Sequence, residues 1–87
     1  MLYFPMPTVL RLGGLRVVVY PNDHRPAHVH VIGQGHEAVF ELNSPQGSVT
    51  LRENYGFRRG DLARIESALL QNLDALIPEW EKIHGTE

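Results

Sequence analysis

Three of the chain's five histidines, His24, His28 and His30, fall within the stretch HRPAHVH, and two of them alternate with valine. Imidazole changes charge near neutral pH, moves protons and ligates metals, so the cluster invites acid–base or metal chemistry. If this stretch is a β-strand, its side-chain period of two puts His28 and His30 on one face, about 7 Å apart from a rise of ~3.3 Å per residue. Such a His-x-His pair could hold zinc or another divalent metal, with His24, His36 or Glu41 as a third ligand. A usual zinc site, however, needs three or four convergent ligands and supporting groups behind them, and only two are forced together here. The plain alternative is an alternating, half-buried strand whose polar positions happen to be histidine.

The arginines widen the choice. Gly13-Gly14 separates two alternating β-branched runs, which is a hairpin signal, and a type I′ turn there takes φ > 0 at both glycines. A two-residue loop pairs Leu12 with Leu15, Arg11 with Arg16, Leu10 with Val17 and Val9 with Val18. Like charges directly opposite one another destabilise a sheet. Arg11 and Arg16 are easier to understand with an anion between them: a phosphate, an acidic partner, or the chain's own Glu37 and Glu41. With Gln34-Gly35 as the next turn, His28 faces Glu41, which would hold the ring in one tautomer. Histidine, arginine and tyrosine together suit metal-independent RNA cleavage, because RNA supplies its own 2′-OH nucleophile. In that reading His28 and His30 transfer protons, Glu41 and Tyr20 support them, and Arg11, Arg16 and Arg52 take the phosphate. Tyr55, Phe57, Arg58 and Arg59 form a second aromatic–basic cluster that could stack on a base. Equally, those aromatics would cap the core and those arginines would be solvated.

The elements that must position these residues are legible. Thr8 to Tyr20 reads as two strands. The PNDHRPA stretch is a proline-bounded loop. HVHVI and HEAVFEL form a second hairpin around GQG, NSPQG turns again, and SVTLR makes a fifth strand with Val49 and Leu51 inward. ENYGFRRG connects to a helix that Asp61 would N-cap. Leu62, Ile65, Leu69, Leu73, Leu76, Trp80 and Ile83 recur at helical spacing as one apolar stripe, which Gly85 would end. Pro78 must kink that helix or begin a second one. The expected fold is α+β: a mostly antiparallel meander sheet of about five strands packed on a C-terminal helix kinked or broken near Pro78. Val9, Val18, Tyr20, Ile32 and Val39 would then lie on the face away from the helix, which suggests a homodimer or partner interface.

Composition sets the limits. Eighty-seven residues, 43% of them hydrophobic, make one small domain, with residues 1–5 read as a short extension before Met6. There is no cysteine, which excludes disulfides, thiolate zinc sites and cysteine nucleophiles. The sequence contains no apolar run of membrane-spanning length and no signal-peptide pattern. The net charge of −2 is uneven: residues 1–64 hold seven arginines against five acids (+2), and residues 65–87 one lysine against five acids (−4). That is too weak for a general nucleic-acid coat but leaves room for a local anion site.

The stretch MPTVLRLGGLRVVVYPNDHRPAHVHV, with Trp80 and His84-Gly85 downstream, resembles a family of small bacterial proteins known as domain of unknown function 4160. The resemblance covers nearly all of residues 6–85, and His-Val-His-Val is its most specific part. Pro21, Arg25 and Ala27 depart from the family pattern, in the loop rather than at the histidines of the strand. The resemblance implies a bacterial cytoplasmic protein, often encoded beside a second small protein in toxin–antitoxin-like pairs. It lends no established activity. The histidine-triad nucleotide hydrolases are a poorer comparison, because Ile32 stands where their third histidine would be. The reading that follows is a component of a toxin–antitoxin-like module, acting on RNA or on the protein of a neighbouring gene through its His/Arg sheet face. Its versions are a metal-independent ribonuclease, a non-catalytic interaction module, and a His-x-His metal protein.

Overall fold

A computed structural model describes residues 8–21, 24–43 and 46–84. The expected N-terminal extension, the Asn22-Asp23 turn and the Gly85 stop lie outside those residues. Five strands run β1 (Thr8–Leu12), β2 (Leu15–Val18), β3 (His28–Gly33), β4 (His36–Asn43) and β5 (Ser48–Tyr55). Two helices follow, α1 (Arg59–Gln71) and α2 (Leu73–His84). The strands form one antiparallel sheet in the order β1-β2-β3-β4-β5, an α+β meander. No helix among the described residues is long and apolar enough to cross a membrane.

The sheet's inner face meets the helical stripe. Val17, Val29, Val31, Ala38, Phe40, Leu42 and Val49 share one buried cluster with Ile65, Leu69, Leu73, Leu76 and Trp80. This is the expected alternation of period two packed against a stripe of period 3.6.

Most of the register follows the sequence pattern. Leu12–Leu15, Arg11–Arg16 and Leu10–Val17 pair in the first hairpin. Val29–Phe40, His30–Val39 and Val31–Ala38 pair in the second. A bulge between Thr8 and Leu10 places Thr8, not Val9, opposite Val18. The extra residue re-aims the strand, so Val9 packs against the core cluster instead of joining the outer face. Turn geometry also differs. Only Gly13 of the glycine pair takes a positive φ (60°), whereas Gln34 (55°) and Gly35 (79°) both do. The type I′ pattern therefore belongs to the second hairpin, and the first follows the II′ pattern with glycine leading.

Strand β5 runs on through Glu53, Asn54 and Tyr55, residues expected in a connector. A second bulge lets Phe40 face Leu51 while Val39 faces Glu53, leaving Arg52 as the extra residue. Leu51, expected inward, stays 42% exposed at that irregularity. The helix begins at Arg59 with Arg58 in the N-cap position, ahead of the expected Asp61. Asp61 sits in the first turn, where its charge favours the helix N-terminus and pairs with Arg64. The helical segment breaks at Asn72 rather than at Pro78, which lies inside α2. Asn72 donates from its side chain to the Ala68 carbonyl (2.8 Å), and its own carbonyl accepts from Ala75 and Leu76 (both 3.0 Å). One residue thus ends α1 and starts α2, and the apolar stripe stays in phase across it.

Two substitutions test this packing. Leu69→Ala empties a site with no solvent exposure and should cost roughly 2–5 kcal/mol in urea unfolding. Gly56 holds φ at +108°, and a Cβ there would run into the His36 ring. Gly56→Ala should therefore destabilise by about 1–3 kcal/mol even though Gly56 itself is exposed.

Candidate functional site

The strand registers align the outer face into rows. Nearest the hairpin turns, Arg11, Arg16, Ile32, Glu37 and Tyr55 lie side by side across all five strands. The next row is Thr8, Val18, His30, Val39 and Glu53. Beyond it His28, Glu41 and Thr50 line up. The face is sorted by charge: arginines on β1 and β2, histidines on β3, carboxylates on β4 and β5.

The two histidines do meet. Their ring centroids are 5.4 Å apart, and Tyr20 packs edge-on to His30 at 4.3 Å. His28 Nδ1 donates to the Pro26 carbonyl at 2.8 Å, in the loop that contains the cis Arg25–Pro26 bond. His30 Nδ1 donates to Glu37 Oε2 at 3.0 Å. A carbonyl and a carboxylate only accept, so in each ring the Nδ1 nitrogen carries a proton. Among the described residues the carboxylate bonded to His30 is thus Glu37, diagonal to it, while Glu41 lies across from His28, whose Nδ1 is already engaged.

Burial changes what the histidines can do. His28 is only 6% exposed, and His30 Nε2 is shut off from solvent. Val18 and Val39, expected to form an exposed apolar patch, are buried in the single chain. What remains accessible is mainly polar: Arg11, Glu53 and Tyr55 are exposed, and Arg16, Ile32, Glu37 and Glu41 are half-buried.

The other expected residues divide between places. His24 is exposed in the loop before β3. Among the described residues no three of histidine, aspartate and glutamate lie close enough together to hold a metal ion. Arg52 stands at the β5 bulge, and Arg58 and Arg59 are exposed at the start of α1. The expected aromatic–basic cluster comes apart. Phe57 is buried, with His36 edge-on at 5.2 Å, while Tyr55 belongs to the outer face. The Tyr55 hydroxyl donates to Glu53 Oε1 at 3.2 Å. That bond, the Glu53 charge and the more distant Glu37 charge hold the phenol pKa above its ordinary value.

One arrangement escaped the sequence reading. His84 stacks on Trp80 with centroids 3.9 Å apart. Its Nδ1 faces the Trp80 carbonyl (3.0 Å) and its Nε2 the Tyr20 carbonyl (3.1 Å). Both contacts are hydrogen bonds only in the imidazolium, which donates from each nitrogen. Arg25 lies over the Trp80 ring at 5.1 Å. His84 and Arg25 thereby tie the loop between β2 and β3 to the end of α2. Helical spacing from Trp80 hinted at the stack, but nothing local points to Tyr20.

Two measurements probe these contacts. A double-mutant cycle with His30→Ala and Glu37→Gln should return a coupling of about 0.5–1.5 kcal/mol. His84→Ala should lower stability by on the order of 1–3 kcal/mol, since it removes one of the links between the loop and the helix.

The family described as "Domain of unknown function (DUF4160)" matches residues 14–81. The match takes in Arg16, the histidine strand, Glu37, Tyr55 and Trp80, and leaves out β1 with Arg11. No curated protein and no solved structure matches the chain. With most of its length covered by that match, the chain belongs to the DUF4160 family.

Proposed function

We propose that this chain is a non-catalytic interaction module, the docking member of a toxin–antitoxin-like pair, which meets a protein partner through its outer sheet face. The sorted charge of that face carries the reading. Glu37, Glu41 and Glu53 share it with Arg11 and Arg16, and RNA laid across it would meet three carboxylates. A protein surface with its own basic and acidic stripes fits such a face, because charge complementarity sets register and rejects wrong partners. The buried His28 and the half-buried His30 fit the same role. They brace the face from within, through Pro26 and Glu37, and a proton-transfer pair would have to reach a substrate.

The ribonuclease reading keeps one observation in its favour, the Tyr20–His30–His28 cluster with rings at 4.3 and 5.4 Å. Calorimetric titration against the purified product of the neighbouring gene, alongside incubation with cellular RNA, separates the two. Docking predicts no RNA cleavage, a measurable affinity for the partner, and a loss of about tenfold or more in that affinity for Glu41→Lys. RNA cleavage by the wild type that vanishes in the His28→Ala/His30→Ala variant would overturn docking in favour of catalysis.

A further inference from the structure

The row nearest the hairpin turns has a symmetry that the rest of the face lacks. Read across the sheet it runs Arg11, Arg16, Ile32, Glu37, Tyr55. Ile32 is central, two cations stand on one side, and a carboxylate and an aromatic stand on the other. Arg11 and Arg16 oppose each other directly, and neither forms an ion pair among the described residues. Glu37 gives one oxygen to His30 and still leaves 38% of its side chain exposed. Tyr55 is 61% exposed, the most accessible large apolar side chain among the described residues.

Resting on the reading of this face as a docking surface, we infer that a second copy of this chain occupies this row when the neighbouring gene's product does not, the two competing for the same face, through a two-fold axis running along β3 between face-to-face sheets. Such an axis lays β1 and β2 of one copy over β5 and β4 of the other, since Ile32 sits on it. Arg16 then faces the partner's Glu37, Arg11 faces the partner's Tyr55, and Ile32 meets the partner's Ile32. Facing sheets pack about 10 Å apart, a gap that long arginine side chains can span. The isologous contact repeats each pair twice. It supplies the counter-charge that the Arg11–Arg16 pair lacks among the described residues and covers Tyr55 with a guanidinium. No other row of the face reads this way: the next one would set the β5 carboxylate of Glu53 over uncharged Thr8.

Sedimentation velocity on the wild type, on Arg16→Glu, on Glu37→Arg and on their mixture tests the interface. The wild type should dimerise with rising concentration. Each single reversal should weaken self-association by about tenfold or more, because both symmetry-related sites then carry like charges. Mixing the two variants should restore a dimer. At one site of the mixed pair the two introduced charges face each other with opposite sign, and at the other the native Arg16 and Glu37 do. Recovery on mixing also shows that both variants are folded. Because Glu37→Arg gives up the His30 contact, Ile32→Cys provides a second route in a chain that has no cysteine of its own. A short bis-maleimide should link Ile32→Cys chains into dimers and leave Leu70→Cys chains, altered on exposed α1, unlinked. A wild type that stays monomeric at every concentration, or reversals that leave its dimer intact, would overturn the inference. If the neighbouring gene's product still binds, the docking reading stands without it. If neither association occurs, both fall.

Discussion

The burial of one sheet face beneath a helical stripe is the constraint on which the rest of this molecule depends. Phe40, Val29 and Val31 on the sheet and Leu69, Leu76 and Trp80 on the helices supply a core small enough that each side chain counts. Once that face is committed to the core, every alternate residue on the strands must point the other way. His28 and His30 are therefore companions on one surface because Val29 and Val31 are companions in the core. A slip of one residue would bury the histidines among the helices and expose the valines, at a cost no small domain could bear.

The devices that hold the surface in place are local. Two bulges, one near Val9 and one at Arg52, adjust the edge strands, and Asn72 breaks the helical segment without breaking its stripe. Bulged and charged edges also discourage edge-to-edge pairing. The loop that delivers the histidines is tied down at several points, Arg25 over Trp80 among them. His28 bonds the Pro26 carbonyl at its near end, and His84 bonds Tyr20 across the fold. Stability and the shape of the outer face are thus linked through the C-terminal helix.

The chemistry of that face follows from burial as much as from residue type. Imidazoles that are shielded and engaged at Nδ1 serve as struts. The arginines and carboxylates of the face stay nearer the solvent. The same residue types, with the histidines exposed and the carboxylates elsewhere, would compose a site for phosphate chemistry.

Much of this was legible in the residues alone. Period two in HVHVI, period 3.6 from Leu62 to Ile83, and turn residues between them determine the strands, the helical stripe and most of the register, because these are short-range patterns of polarity and backbone freedom. The shared face of His28 and His30 and the Arg11–Arg16 pairing follow from the same periodicity. Only the tertiary structure decided how deeply the histidines sink, that His28 Nδ1 turns to the Pro26 carbonyl and His30 to Glu37, that Tyr55 and Phe57 part company, and that His84 reaches Tyr20. Each of these depends on neighbours far apart in sequence, on the twist of the sheet and on bulges whose positions no local pattern announces. Away from the bulges, which side chains share a face is a property of the chain. Which of them meet, and which still see water, is a property of the packed molecule.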